Sequence, residues 1–232
     1  MNNQYIQITL LFLVIYMASY PSFAQTNQDP TGGWYTYNWN TSFGETNWGL
    51  DGEIQNTNYS IGKDLNWFLV RAGVTYAPKN TQVKFALGYG HATFGAFGPD
   101  DSKVNENRIY QQLNLPQEIA GLNFLHRFRY EQRFFNGFYR SRLRYGLYLN
   151  LPINNKTIVK NTFYVALYNE LFLNGERQLK NGSEVAYFDQ NRTYGAVGFA
   201  VSKTFKIQLG VMRLIRANDD RITLQFSLHH SI

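Results

Sequence analysis

The sequence reads as an all-β protein: a transmembrane antiparallel up-and-down β-barrel of about 10–12 strands behind an N-terminal signal peptide. Three observations lead there. Apolar and charged residues alternate strictly through long segments. From Leu122 to Phe134, Leu122, Phe124, Phe128, Tyr130 and Phe134 share one face, while Arg127, Arg129, Glu131 and Arg133 share the other. A period of two is a strand with different surroundings on its two sides. The chain also opens with an export signal, so lipid is the natural partner of the apolar face. Finally, aromatic residues make up 17% of the chain, mostly 17 Tyr and 18 Phe, as the interfacial girdles of a barrel require.

Taken in order, residues 1–24 carry no Lys, Arg, Asp or Glu. Ile8 to Ala18 is an apolar run too short for the ~20 residues of a spanning helix, and Ser22 and Ala24 precede a cleavage site before Gln25. Residues 25–33 are polar, with Pro30 and two glycines, and read as a linker. Residues 34–232 form the barrel. Strands are expected at 34–42, 46–56, 65–76, 81–93, 106–115, 120–135, 139–151, 161–173, 188–200, 205–215 and 222–231, each long enough to cross a bilayer with tilt. The connections after Tyr76, Leu151 and Val201 look short. Those at 95–105 and 174–186 look long and polar, which puts the long ones outside and the C-terminus in the periplasm. Single-chain bacterial barrels have even strand numbers, so this count of eleven should resolve to ten or twelve, with 34–42 outside the wall or one strand missed.

Composition removes several function classes. There is no Cys, hence no disulfide, no thiol catalysis and no thiolate metal site. No later segment approaches the length of a transmembrane helix. The net charge of +6 is not matched to nucleic acid in an exported barrel. The partners expected are outer-membrane lipid, lipopolysaccharide phosphates, small anionic solutes and, during biogenesis, the barrel assembly machinery reading the last strand to Ile232.

The cost of error fixes the faces: an Arg facing lipid at mid-depth costs about 2–4 kcal/mol. The Arg-bearing register must therefore face the lumen. This places Glu53 (with Asp51 and Gln55), Arg71, Glu106, Arg108, Arg127, Arg129, Glu131, Arg133, Arg140, Arg142, Arg144, Glu170 and Arg192 inside, beside Tyr110, Gln112, Tyr168 and Gln190. Val83, Phe85, Leu87 and Tyr89 point out, as do Leu143, Tyr145, Leu147 and Leu149 and, in the last strand, Ile222, Leu224, Phe226 and Leu228. The lumen then holds nine Arg against five acids. Guanidinium–carboxylate pairs are bidentate and directional, and Tyr and Gln extend them. With a backbone radius of roughly 10–12 Å, such side chains leave little continuous water. The interior is a salt-bridged plug or a narrow anion-favouring pore.

Leu125-His126-Arg127-Phe128-Arg129-Tyr130-Glu131-Gln132-Arg133-Phe134 is the most specific stretch. With Arg142-Leu143-Arg144-Tyr145, Tyr168-Asn169-Glu170-Leu171-Phe172, Asp189-Gln190-Asn191-Arg192 and Glu106-Asn107-Arg108, it resembles an uncharacterised family of Bacteroidota outer-membrane proteins, catalogued as a domain of unknown function. The resemblance spans essentially the whole mature chain. It implies an outer-membrane barrel without assigned activity and supplies no catalytic residues.

No catalytic set, metal site or cofactor is expected. Outer-membrane hydrolases need a base within reach of a nucleophile or water. His91, on the lipid-facing register with Thr93 two residues on, is similar to the His and hydroxyl of a lipid A deacylase, but with Thr in place of Ser. Asp100-Asp101 is one half of what an omptin-like protease needs. His126 belongs to the outer wall and His229 and His230 to an exposed strand end. No His spacing suits a metal. Gly88 and Gly90 lie within a strand and relieve crowding rather than cradle phosphate. The alternatives are a lipid-active enzyme at His91 and a scaffold binding a partner through the loops at 94–105 and 174–187.

Overall fold

The computed structural model describes residues 31–232 apart from 120, 180, 181 and 218. The cleavage site and most of the linker lie outside these residues. Every described regular element is a strand: β1 (Gly32–Ser42), β2 (Trp48–Ser60), β3 (Lys63–Tyr76), β4 (Lys84–Gly95), β5 (Lys103–Ile119), β6 (Leu122–Phe135), β7 (Phe138–Pro152), β8 (Thr162–Asn174), β9 (Phe188–Ala200), β10 (Phe205–Arg216) and β11 (Asp219–Ser231). The β1 strand begins at Gly32, so the linker is two residues shorter than its composition suggests.

The wall is a closed barrel of eleven strands. Sequence neighbours pair antiparallel, as expected, but β1 closes on β11 in parallel, with Tyr37 opposite Leu228. The even-number rule fails here for a geometric reason. An up-and-down wall with an odd count must bring two strands of the same direction together, and a parallel ladder satisfies both edges. Followed from strand to strand, the registers return to β1 displaced by about 14 residues, giving a tilt of roughly 44° and a backbone radius of roughly 11 Å.

Alternation holds in almost every strand. Outward residues such as Leu87, Leu143, Val197 and Leu209 are exposed, and their inward neighbours are buried. Loop length does not separate the two ends. One end carries 96–102 and 175–187 but also two-residue turns at 61–62 and 136–137. The other, where β11 finishes, carries 43–47, 77–83, 120–121, 153–161 and 201–204. The two ends differ instead in outer-wall polarity. Toward the 175–187 end the outer face includes Asn105, Asn107, His91, Asn191, Arg213 and Asp220, joined by hydrogen bonds such as Tyr89 Oη to Asn107 Oδ1 (2.6 Å) and Arg213 Nη2 to Asp220 (2.6 Å). Toward the C-terminal end it is chiefly apolar: Phe85, Leu115, Phe128, Leu167, Val197 and Leu209.

Two glycines make the barrel fit around one ring. Tyr110 points inward, and a Cβ on Gly73 would lie 2.7 Å from its hydroxyl. A Cβ on Gly88 would collide with the same ring and sit 2.6 Å from the Ala72 carbonyl. This is the crowding expected at Gly88.

Candidate functional site in the barrel interior

Each strand contributes its inward register to one of two interior regions. On the β5–β7 side, arginines and carboxylates interlock. Glu131 takes Arg142 (2.6 Å) and Arg144 (2.6 Å), with Arg108 and Arg129 at 3.7 and 3.8 Å. Glu106 takes Arg108 (2.6 Å) and Arg133 (2.7 Å). Glu170 takes Arg127 (2.8 Å) and Arg144 (2.8 Å), and Glu53 pairs with Arg71 and accepts from Gln55. Arg129 donates to the amide oxygen of Gln112 from Nε (2.8 Å) and Nη2. Arg140 stands at the rim on Asn174 (2.7 Å). Glu106 and Glu131 are each 0% exposed. Buried guanidinium–carboxylate pairs offset their own desolvation only when the remaining donors are also used; sharing Glu106, Glu131 and Glu170 does this in part, and Nε of Arg108, Arg127 and Arg192 meets no acceptor among the described residues.

On the other side lies an apolar cluster of Trp34, Trp67, Tyr164, Ala166, Tyr194, Ala196, Met212 and Leu214. Arg192 joins the two regions. Its guanidinium stands 4.5 Å from the ring centre of Phe172, 4.8 Å from Trp34 and 5.0 Å from Trp67. Arg144 also covers Phe172, at 4.4 Å, and Arg129 covers Tyr110, at 4.6 Å. The aromatic faces thus supply electron density where carboxylates run out.

Eleven of the thirteen predicted residues make ion pairs in this interior, while Arg140 reaches Asn174 at the rim and Arg192 lies on aromatic rings, neither with an ion pair among the described residues. The network fills only half of the interior, however. A cavity of about 650 Å³ occupies the half toward the C-terminal end. Its floor is the layer of Arg71, Arg129, Arg144, Glu170 and Arg192, and its mouth is ringed by Lys84, Asn114, Asn150 and His229. Beyond the floor, outside the cavity, Arg108 is 1% exposed and Phe172 0%.

Several participants were missed by sequence reasoning. Asp189 pairs with Arg142 (3.0 Å) although alternation puts it on the outer register. It sits beside the β8–β9 register shift between Phe172 and Leu173, and such bulges re-aim side chains. Trp34, Trp67 and Phe172 lie on inward registers but carry no charge to mark them. His229, expected to be exposed, faces inward with Ser227 and lines the cavity, because alternation continues to the end of β11. His230 stays on the outer wall, 3.0 Å from the Tyr37 hydroxyl.

The outer-wall candidates do not converge. His91 Nδ1 is 2.8 Å from Asn107 Oδ1, while Thr93 donates to Asn105 (2.8 Å). Asp100 accepts from the backbone of Ser102 (2.8 Å), a turn contact. His126 lies between the Tyr145 hydroxyl and Gln117 Oε1, both at 2.9 Å.

Fold and interior together define a closed β-barrel with a buried salt-bridge network. The chain matches the family model described as "Protein of unknown function (DUF2490)" over residues 31–225, and it belongs to that family. No curated protein and no solved structure matches it.

Proposed function

We propose that the protein is an outer-membrane β-barrel that does not conduct: its lumen is sealed toward the 175–187 end and open as a vestibule toward the C-terminal end. The observation that carries this reading is the buried layer of Arg108, Glu106, Glu131 and Phe172 across the lumen. The membrane part rests on the outer wall. Large apolar side chains such as Leu87 and Leu209 are more than half exposed and belong to a continuous belt, a surface that water does not tolerate at this size. The belt is displaced toward the C-terminal end. In this orientation the polar end, with loops 96–102 and 175–187, projects outward among lipopolysaccharide head groups, and the vestibule opens to the periplasm. The cleavable signal at 1–24, the Bacteroidota origin and passage through the assembly machinery belong to the same proposal.

The role is then structural or ligand-holding rather than transport. A narrow anion-favouring pore is the second reading, favoured by the arginine surplus along the lumen. His91 has Asn107 as its bonding partner, an amide that supplies neither nucleophile nor acid, so hydrolysis at the outer wall gains no support from its geometry.

Density-gradient fractionation of cells expressing the full chain, combined with gel mobility before and after boiling, tests the location. The expected result is a heat-modifiable band in the outer-membrane fraction. A band in the soluble fraction would overturn the proposal.

A further inference from the structure

The vestibule is more than space left by an incomplete plug. Six cationic side chains line it, Arg71, Arg127, Arg129, Arg144, Arg192 and Lys84, against three acids, Asp51, Glu53 and Glu170. Two of those acids are already engaged: Glu53 by Arg71, and Glu170 by Arg127 and Arg144. Arg129 leans on a neutral amide and stands 3.8 Å from a Glu131 that Arg142 and Arg144 already occupy. Arg192 is 4% exposed, and its Nε and Nη2 meet no hydrogen-bond acceptor among the described atoms. Rings on Trp34, Trp67 and Phe172 hold it in place but do not satisfy its N–H groups. A buried guanidinium with no carboxylate of its own is costly, and an anion from solution would offset that cost.

We infer that the vestibule is a binding site for a small polyhydroxylated organic anion, with its carboxylate or phosphate on Arg192 and Arg129. Guanidinium recognises both head groups through paired N–H donors. At about 650 Å³ the cavity falls within the size range of organic-ligand pockets, far above that needed for an inorganic ion. Its wall beyond the arginines mixes apolar side chains such as Phe124, Ala166 and Leu167 with amides and hydroxyls on Gln208, Gln225, Ser227, Tyr168 and Tyr194. These groups bond to one another, Tyr168 and Ser227 to Gln225 and Tyr194 to Gln208, and such amide–hydroxyl pairs can exchange their partners for ligand hydroxyls. The inference rests on the proposed closed lumen only in that the cavity has a single mouth.

Trp34 reports on the site directly, since its ring lies against Arg192. The full chain, refolded in detergent, is titrated with D-glucuronate, glucose 6-phosphate, inorganic phosphate and neutral glucose while tryptophan fluorescence is read. The expected result is a saturable change with the two organic anions, with glucose at least tenfold weaker and inorganic phosphate weaker than either anion. Arg192→Gln should weaken binding tenfold or more and Arg129→Gln several-fold, while Arg177→Ala on the distant outer loop leaves it unchanged. If Arg192→Gln does not refold, the comparison of anions with glucose on the unaltered chain decides alone. Equal responses to glucose and glucuronate, or no saturable response to either anion, would overturn the inference. Conductance through the barrel would contradict the closed lumen, whereas a silent barrel that binds none of the probes contradicts only the anion site.

Discussion

Arg142 donates from Nε and Nη2 to a single carboxylate oxygen of Glu131, at 2.9 and 2.6 Å, and the two residues are direct register partners across β6 and β7. The other oxygen of Glu131 takes Nη1 of Arg144 at 2.6 Å. One carboxylate thus ties adjacent strands together at two levels and neutralises the densest part of the lumen. Replacing Glu131 with Ala or Gln leaves these guanidiniums buried without it. The expected loss is about 3–5 kcal/mol, seen as a lower temperature at which the fast-migrating folded band disappears on gels. Unchanged heat resistance would contradict the salt-bridged interior. The pair Arg177–Glu184, 3.3 Å apart but half exposed, is the control: Glu184→Ala should change the same temperature little, since exposed pairs contribute about 0–1 kcal/mol.

The fit of Tyr110 between Gly73 and Gly88 makes a second expectation. Gly73→Ala should cost about 1–3 kcal/mol through overpacking, and the cost should fall when Tyr110→Phe removes the hydroxyl 2.7 Å from the added methyl. A double-mutant cycle on denaturant unfolding checks it. Additive effects would mean that the backbone contact at the Leu87 carbonyl, 3.0 Å away, dominates instead.

Closure through parallel strands is testable because the chain has no Cys of its own. Cysteines placed at Tyr37 and Leu228, Cα partners on the outer wall, should be joined by a short bifunctional thiol reagent in the folded barrel. A folded barrel in which they never join would remove β1 from the wall and restore an even count of ten.

The outer belt predicts a difference between two arginine substitutions. Leu209, 64% exposed and mid-strand in β10, should tolerate Arg poorly, at about 2–4 kcal/mol and with reduced refolding into bilayers. Asn105, near the start of β5 on the polar end, should tolerate it with little effect. Equal behaviour at both sites would argue against the placement of the belt.

Much of this structure is legible in the sequence. The segment from Leu122 to Phe134 alternates so regularly that its pairing and facing follow from the cost of exposing Arg to lipid. The same rule located Arg71, Glu170 and Arg192 on strands far apart in the chain. Eleven strands are visible in the sequence, yet the parity rule turns the count into ten or twelve, because alternation along a strand carries no information about how the first and last strands meet. Asp189 was hidden by a one-residue register shift that no local pattern announces. The vestibule was hidden too. Its existence depends on which inward positions are small or neutral, such as Ala166, Ser227 and Asn150, and on how tilt stacks them at one depth. Trp34 gave no sign of its role because an inward Trp in a strand is ordinarily packing, and only the approach of Arg192 makes it part of a site.

Single-channel recording of the refolded barrel in a planar bilayer tests the closed lumen most directly. With Arg108, Glu106, Glu131 and Phe172 packed across the barrel, the membrane should stay silent, and Glu131→Ala should introduce conductance if the barrel still folds. Steady ion-selective steps from the unaltered chain, weakened by changing Arg129 or Arg142, would contradict the closed lumen and make the protein a pore.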